Sequence, residues 1–272
     1  MAPNFAEQME IIVNKYLIRD PQVRKERALE KEDWILAWLN EELFSTTKIL
    51  ATLMNIEARA ARTVLNRLAD RGMIIRDEIR FMGSRAIPLW GITSAGLMHV
   101  LDPDEIANAS LRHYSPGSVK SLTIEHALGI QECRLHCELK LDFESWTPDR
   151  LLPGKGLKST DKNRWSVYPD AVGSFVDKNT GKEVTVAIEF ERSRKTPTRY
   201  VEIIKAHLKN IELNRYSKAW YICPTEKEAA NIKALFSRLI QEKKIGFFVS
   251  DGVYRTATEV MEFFAFKSQD KF

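Results

Sequence analysis

The sequence predicts a two-domain chain mixing α and β structure, of the α+β or α/β class. Three observations carry this. Helical periodicity with clear stop signals dominates the first third, a polar glycine-containing turn joins two strand-like runs near residue 180, and helix-like and strand-like runs alternate after it.

Residues 1–43 read as helical, with apolar positions at helical spacing in EDWILAWLNEELF. Ser45 or Thr46 can cap a short helix in TTKILATLM, and a turn at Asn55-Ile56 leads into EARAARTVLNRLADRG, which Gly72 ends. A strand in MIIRDEIRF, a turn over residues 82–85 and a return strand in AIPLWGIT follow. Three helices and a two-stranded wing, in that order, make a winged helix-turn-helix. In the third helix Ala61, Val64, Leu65 and Leu68 share the expected buried stripe, while Arg59, Arg62, Thr63, Asn66 and Arg67 share the opposite face. Side chains of those types reach phosphates and base edges from a helix in the major groove, and Arg80 and Arg85 of the wing would lie beside the DNA backbone. A winged helix used only for protein contacts is the alternative.

Residues 93–113 read as a helical connector, and Pro116-Gly117 marks the best linker. The expected domains are therefore residues 1–115 and 116–272. The second opens with a helix in VKSLTIEHALGIQECRLHCELKL and a loop over WTPDRLLPGKGLKSTDKNR, and then the hairpin. A helix over about 197–215, a strand in KAWYICP, a helix in TEKEAANIKALFSRLIQEK, a strand in KIGFFVSD and a mixed tail complete it. The order implies a mixed sheet flanked by helices.

The hairpin YPDAVGSFVDKNTGKEVTVAIEFERSRK carries the chemistry. If Asp177 pairs with Lys182, cross-strand numbers sum to 359 and Asp170 lies opposite Glu189; a bulge at Gly181 would shift the sum to 360 and bring Phe190 there instead. In the first register Asp170, Val172 and Ser174 share a face with Glu189, Ala187 and Thr185, and Glu191 continues it. Ala171, Gly173 and Phe175 with Ile188, Val186 and Val184 form the expected core face. Carboxylates facing one another across a strand pair are destabilising. Either the face is a solvated acidic edge, or a hard cation such as Mg²⁺ neutralises it.

Composition limits the alternatives. At 272 residues, with 44% hydrophobic and 29% charged residues and a mean hydropathy of −0.30, the chain reads as soluble with ample core. No apolar run approaches the ~20 residues that span a bilayer, and no signal peptide is visible. Three cysteines suit a reducing cytoplasm. The net charge of +4 is concentrated: residues 57–85 hold seven arginines against four acids, and residues 189–218 hold eight Lys/Arg against four Glu. Two basic zones suit a polyanion contacted at two places, or a scatter of solubilising charge. Cys133, His136 and Cys137 lack a second ligand pair at metal-site spacing, and Gly154-Lys155-Gly156 is too short for a phosphate loop.

The second half resembles the PD-(D/E)XK superfamily, whose fold is restriction-endonuclease-like: a leading helix, a meander carrying Asp then Glu-x-Lys, a crossover helix and a further strand. With a winged helix before it and EHALGIQ at its start, the chain is similar to the replication-relaxation family and the MobC-type plasmid mobilisation relaxases. Pro169-Asp170 and Glu189 match the motif; Glu191 stands where Lys is usual. The resemblance implies a sequence-specific DNA nickase at a plasmid transfer origin, cytoplasmic and not inserted in a membrane. Its partners would be double-stranded DNA, accessory mobilisation or coupling proteins, and a second copy in a homodimer. Asp170, Glu189 and Glu191 would hold Mg²⁺ or Mn²⁺. Glu at the Lys position can serve as a further ligand or a base, and Lys195 or Lys205, with Arg192 or Arg194, would meet the phosphate. A relaxase that rejoins the strand needs a phosphotyrosyl link, for which Tyr168, Tyr200 and Tyr216 are candidates. The other implied reading is a DNA-binding regulator whose nuclease-like domain is no longer catalytic.

Overall fold

The computed structural model describes residues 20–80, 86–102, 112–155, 157–158, 161, 163–248 and 252–269. The expected helix before residue 20, the wing tip with Arg85, the middle of the connector and Gly156 lie outside the described residues. The protein mixes helices with antiparallel and mixed sheets, and it divides after Leu135 into two compact units. The helix expected to open the second domain thus gives its first fifteen residues (121–135) to the first unit.

In the first unit, α1 (Pro21–Glu42) starts where the Asp20 side chain accepts from Gln22 N and Pro21 presets the first turn. It ends at Leu43, whose φ of 69° turns the chain into β1 (Phe44–Thr46). Thr46 caps α2 (Thr47–Leu53), and Asn55, at φ 50°, turns toward α3 (Ala58–Asp70). Gly72 at φ 71° closes α3, with Met73 N donating to Leu68 O at 3.0 Å. Strands β2 (Ile74–Ile79) and β3 (Ile87–Ile92) then pair, and α4 (Ser94–Val100) follows the cap at Thr93. The antiparallel sheet has the order β1-β3-β2. β1 is a strand the sequence reading missed; three residues are too few to show an alternation.

Two contacts seal this unit. Gly91 gives up its side-chain volume to Tyr114, since a Cβ there would fall 2.1 Å from the ring. Asp77 Oδ2 accepts from Tyr114 Oη at 2.6 Å and from Gly117 N at 2.8 Å, which ties the segment after the connector to β2. The start of α5 (Ser121–Lys140) docks through Gln131, which accepts from Ser45 Oγ and donates to Phe44 O, both at 2.7 Å. Arg134 pairs with Glu41 and Glu42, its guanidinium 4.3 Å above the Trp38 ring.

In the second unit, β4 (Phe143–Pro148), β5 (Ala171–Val176) and β6 (Glu183–Phe190) form an antiparallel meander. Helix α6 (Pro197–Glu212) crosses to β7 (Lys218–Cys223), parallel to β6. Helix α7 (Glu226–Glu242), which carries a full capping box, crosses to β10 (Phe264–Ser268), parallel to β7. The sheet order is β10-β7-β6-β5-β4. Its outer parallel strand therefore comes from the mixed tail. The expected strand in KIGFFVSD is only β8 (Phe247–Phe248), paired with β9 (Tyr254–Arg255) in a separate ladder.

The hairpin takes the register with sum 359, from Ala171↔Ile188 to Val176↔Glu183. Asp177 N donates to Lys182 O, the Asp177 side chain accepts from Asn179 N and Thr180 N, and Gly181 adopts φ 65°. The face assignment needs correction. Ala187, Ala219, Tyr221, Cys223 and Phe264 lie on the acidic face and form the main core with Tyr200, Ile204 and Leu208 of α6 and Phe236 of α7. The other face is also covered, by the ring cluster of Phe143, Phe175 and Trp220 at 5.1–5.6 Å. Helices sit against both sides of such a sheet, so its central strands are apolar on both faces.

The Asp77 latch has a pH signature. The Tyr114 hydroxyl, with the Gly117 and Glu78 amides, holds the Asp77 carboxyl below its usual range. A depressed carboxylate stabilises the fold above its unfolded value of about 4 and ceases to do so as pH falls through the native value. Tyr114→Phe is expected to cost about 1 kcal/mol near pH 7, and the gap to wild type should narrow in urea melts as pH falls below about 4. An undiminished gap in acid would assign the loss to packing instead.

Candidate functional site

The acidic face ends at the C-terminal end of β6, where the sheet is deepest. Asp170, one residue before β5, accepts from Phe190 N through Oδ2 at 2.7 Å, which stitches it to the last residue of β6. Glu189 points from β6 toward α6. Glu191, just past the strand, is anchored by its N–H on Ile222 O at 2.9 Å and is 5% exposed. Burial pushes both glutamates up from the usual carboxylate range, and the negative Asp170 adds to the rise in each. The three acids expected from the hairpin are thus brought together electrically. Among the described residues, however, no three His, Cys, Asp or Glu side chains are drawn into a ready-made metal cage.

Partners for these acids come from two sides. The Lys195 ammonium lies 2.5 Å from Glu191 Oε2 and also lowers Glu189, so a lysine reaches the site from the loop after β6. On the other side is a residue that sequence reasoning missed: His207 of α6, with no exposed surface, whose Nε2 is 3.2 Å from Glu189 Oε1. The ring N–H lies off the line to that oxygen, so this is an ion-pair-distance contact rather than a straight hydrogen bond. The signal for it was a histidine set in the apolar stripe Tyr200, Ile203, Ile204, Leu208, Ile211 of α6. Lys205 is on the exposed side of the same helix and turns away from the face that His207 occupies.

The tyrosines are mostly held. Tyr200 is fully buried, its hydroxyl accepting from Lys195 N at 3.2 Å; burial first, then the Glu191 charge, pushes its phenol up to about 12. Tyr216 is 3% exposed and bonded to His207 and Asn210, and burial drives its phenol far up. Tyr168 is partly exposed, stacked on Trp165, and donates to Pro153 O at 3.5 Å. Beneath the acids, the buried Tyr221 hydroxyl has no hydrogen-bond partner among the described residues. Cys133 and Cys137 are buried and form no disulfide among the described residues.

In the first unit, Arg59, Arg62, Thr63, Asn66 and Arg67 all lie on the exposed side of α3, and Arg80 is exposed just after β2. Arg67 is partly committed, because it and Arg71 hold the carboxylate of Glu32, a residue 3% exposed on α1.

The model of the replication-relaxation family matches residues 36–218, more than half of the 272. The chain belongs to the replication-relaxation family. Membership points to a role in the replication or relaxation of plasmid DNA. The matched span of this replication-relaxation protein runs from within α1 to the start of β7, and so contains α3, Asp170, Glu189, Glu191, Lys195 and His207. No curated protein and no solved structure gives a match. No helix of the described residues is long and apolar enough to cross a membrane.

The raised Glu189 has a stability consequence. A carboxyl whose native value lies above its unfolded value costs nothing in acid and destabilises increasingly as pH rises through the native value. Glu189→Gln is therefore expected to melt higher than wild type near pH 8, with the gain gone near pH 4. Equal melting at both would mean that His207 and Lys195 already offset the buried charge.

Proposed function

We propose that this protein is a sequence-specific DNA-binding nickase that depends on a divalent metal and acts at a plasmid transfer origin. The observation that carries the reading is the gathering of Asp170, Glu189, Glu191 and the Lys195 ammonium at one end of β6. The run α5-β4-β5-β6-α6-β7 agrees with a restriction-endonuclease-like core, and helix, strand, two helices and hairpin in the first unit agree with a winged helix.

The donor set is all oxygen, which fits Mg²⁺ or Mn²⁺. Asp170 and Glu189, with Glu191, would hold the ion, and the orphaned Tyr221 hydroxyl beneath them marks a place where a polar ligand is wanted. A bound divalent cation supplies charge neutralisation for the scissile phosphate and makes water a stronger acid. The chain's own groups do the rest. Lys195 stands where it can stabilise charge developing on a phosphate oxygen, which answers for the lysine absent at position 191. Arg192 and Arg194, both exposed on the same loop, extend the positive rim. The raised phenols of Tyr200 and Tyr216 make them poor nucleophiles, which favours attack by water over a phosphotyrosyl link. Accessory mobilisation proteins and a second copy of the chain are the partners this role would call on.

Supercoiled plasmid bearing the cognate origin, incubated with protein and Mg²⁺, is expected to open to circles. Asp170→Ala should lower the rate by at least about a hundredfold, in line with loss of a group acting on the transition state. Tight specific binding with no nicking under any metal would instead identify a non-catalytic regulator. A protein–DNA adduct lost in Tyr168→Phe would identify the covalent route.

DNA recognition has a separate test. The paired change Arg59→Ala and Arg62→Ala is expected to weaken binding and to lower the slope of log K against log salt by about one per phosphate contact removed. An unchanged slope would take α3 out of the DNA interface.

A further inference from the structure

The buried histidine of α6 has no part in the reaction so far, yet its surroundings determine which of its nitrogens carries hydrogen. The chain of hydrogen bonds starts at Asn210, which is fully buried. Its Oδ1 accepts from Ser166 N at 3.0 Å and from Arg215 Nη1 at 3.1 Å, so that end of the amide is the oxygen. Its Nδ2 then donates to Val167 O at 2.8 Å and to Tyr216 Oη at 3.0 Å, which uses both amide hydrogens. Tyr216 Oη accepts from Asn210 and must place its own hydrogen elsewhere. Among the described residues the acceptor in reach is His207 Nδ1, at 2.7 Å. Nδ1 is therefore the bare nitrogen, and the neutral ring carries its hydrogen on Nε2, facing Glu189 Oε1.

We propose that His207 is a positioning residue for Glu189: the relay Asn210–Tyr216–His207 presents Nε2–H to one carboxylate oxygen and so leaves the other oxygen to the site. A carboxylate in an apolar core can otherwise rotate between many orientations, and a ligand or base held at one oxygen loses that freedom before it meets its partner. Nε2 and Oε1 stand 3.2 Å apart, so a small rotation of the ring completes the hydrogen bond. The catalytic consequence rests on the nickase reading of Glu189; the direction of the relay does not.

Full-length protein labelled with ¹⁵N-histidine separates the two. The pair of ring nitrogens that disappears in His207→Gln belongs to His207, one of five histidines. In the wild type its Nδ1 is expected to be pyridine-like and its Nε2 pyrrole-like, and Tyr216→Phe should remove that bias. The opposite tautomer, or an imidazolium at neutral pH, overturns the relay whatever the protein does to DNA. For the role at the site, Mn²⁺ binding is measured without DNA alongside plasmid nicking. His207→Phe is expected to weaken Mn²⁺ binding and slow nicking by about 10- to 100-fold. His207→Gln, whose amide can donate from nearly the same point, should recover most of both. A His207→Phe protein that melts like His207→Gln yet binds Mn²⁺ and nicks as the wild type does refutes the positioning role. Loss of nicking in Asp170→Ala, measured in parallel, shows that the nickase reading itself holds.

Discussion

The second unit is organised around a carboxylate that would be easier to leave in water. Glu189 sits on the face of β6 that also carries Ala187, and that face packs under α6 and α7 rather than into solvent. Removing a charge from water costs several kcal/mol unless it is paired and hydrogen-bonded. Three elements converge on it. Helix α6 brings His207, the loop after β6 brings Lys195, and the β5 end brings Asp170, whose own carboxylate is engaged by the Phe190 amide. Lys195 offsets the charge and the His207 ring stands beside it, whereas Asp170 adds to it. The balance is left on the acidic side, and carboxyls shifted in this way gather at functional sites.

The first unit solves a similar problem to a different end. Glu32 on α1 is almost wholly buried, and Arg67 and Arg71 reach it from α3 and its cap. Here two cations face one acid, the buried carboxylate is fully compensated, and the result is a clamp between helices. The same arginine-rich helix therefore serves two purposes along its length. Its C-terminal arginines hold the fold, while Arg59 and Arg62 near its start remain exposed and, among the described residues, make no ion pair. The EHALGIQ run of the sequence turns out to include a structural latch of the same kind, since its Gln131 bridges to Ser45 and Phe44 of β1.

Legibility followed the range of the interactions. The hairpin register was readable because Asp177 and Gly181 set the turn within a few residues, and alternation carried it to Asp170 and Glu189. Gly72, Thr46 and the α3 stripe were readable for the same local reason. Alternation separates two faces but does not say what covers them, and the inner half of the acidic face is core. His207 was invisible because a histidine in an apolar stripe looks like any partly polar core residue until its neighbours are known. β10 and β1 were missed because a short strand owes its existence to the partner beside it.

By itself, the sequence determined the order of the longer elements, the pairing inside the hairpin, the arginine face of α3 and the identity of three acids that share a strand face. These depend on contacts a few residues apart, which spacing and turn chemistry encode directly. Only the tertiary structure decided that Lys195 rather than Lys205 supplies the ammonium, that Tyr200 and Tyr216 are held in the core, and that a histidine from the crossover helix stands behind Glu189. Those choices depend on which side of α6 is laid on the parallel strands β6 and β7, a packing that no local spacing specifies.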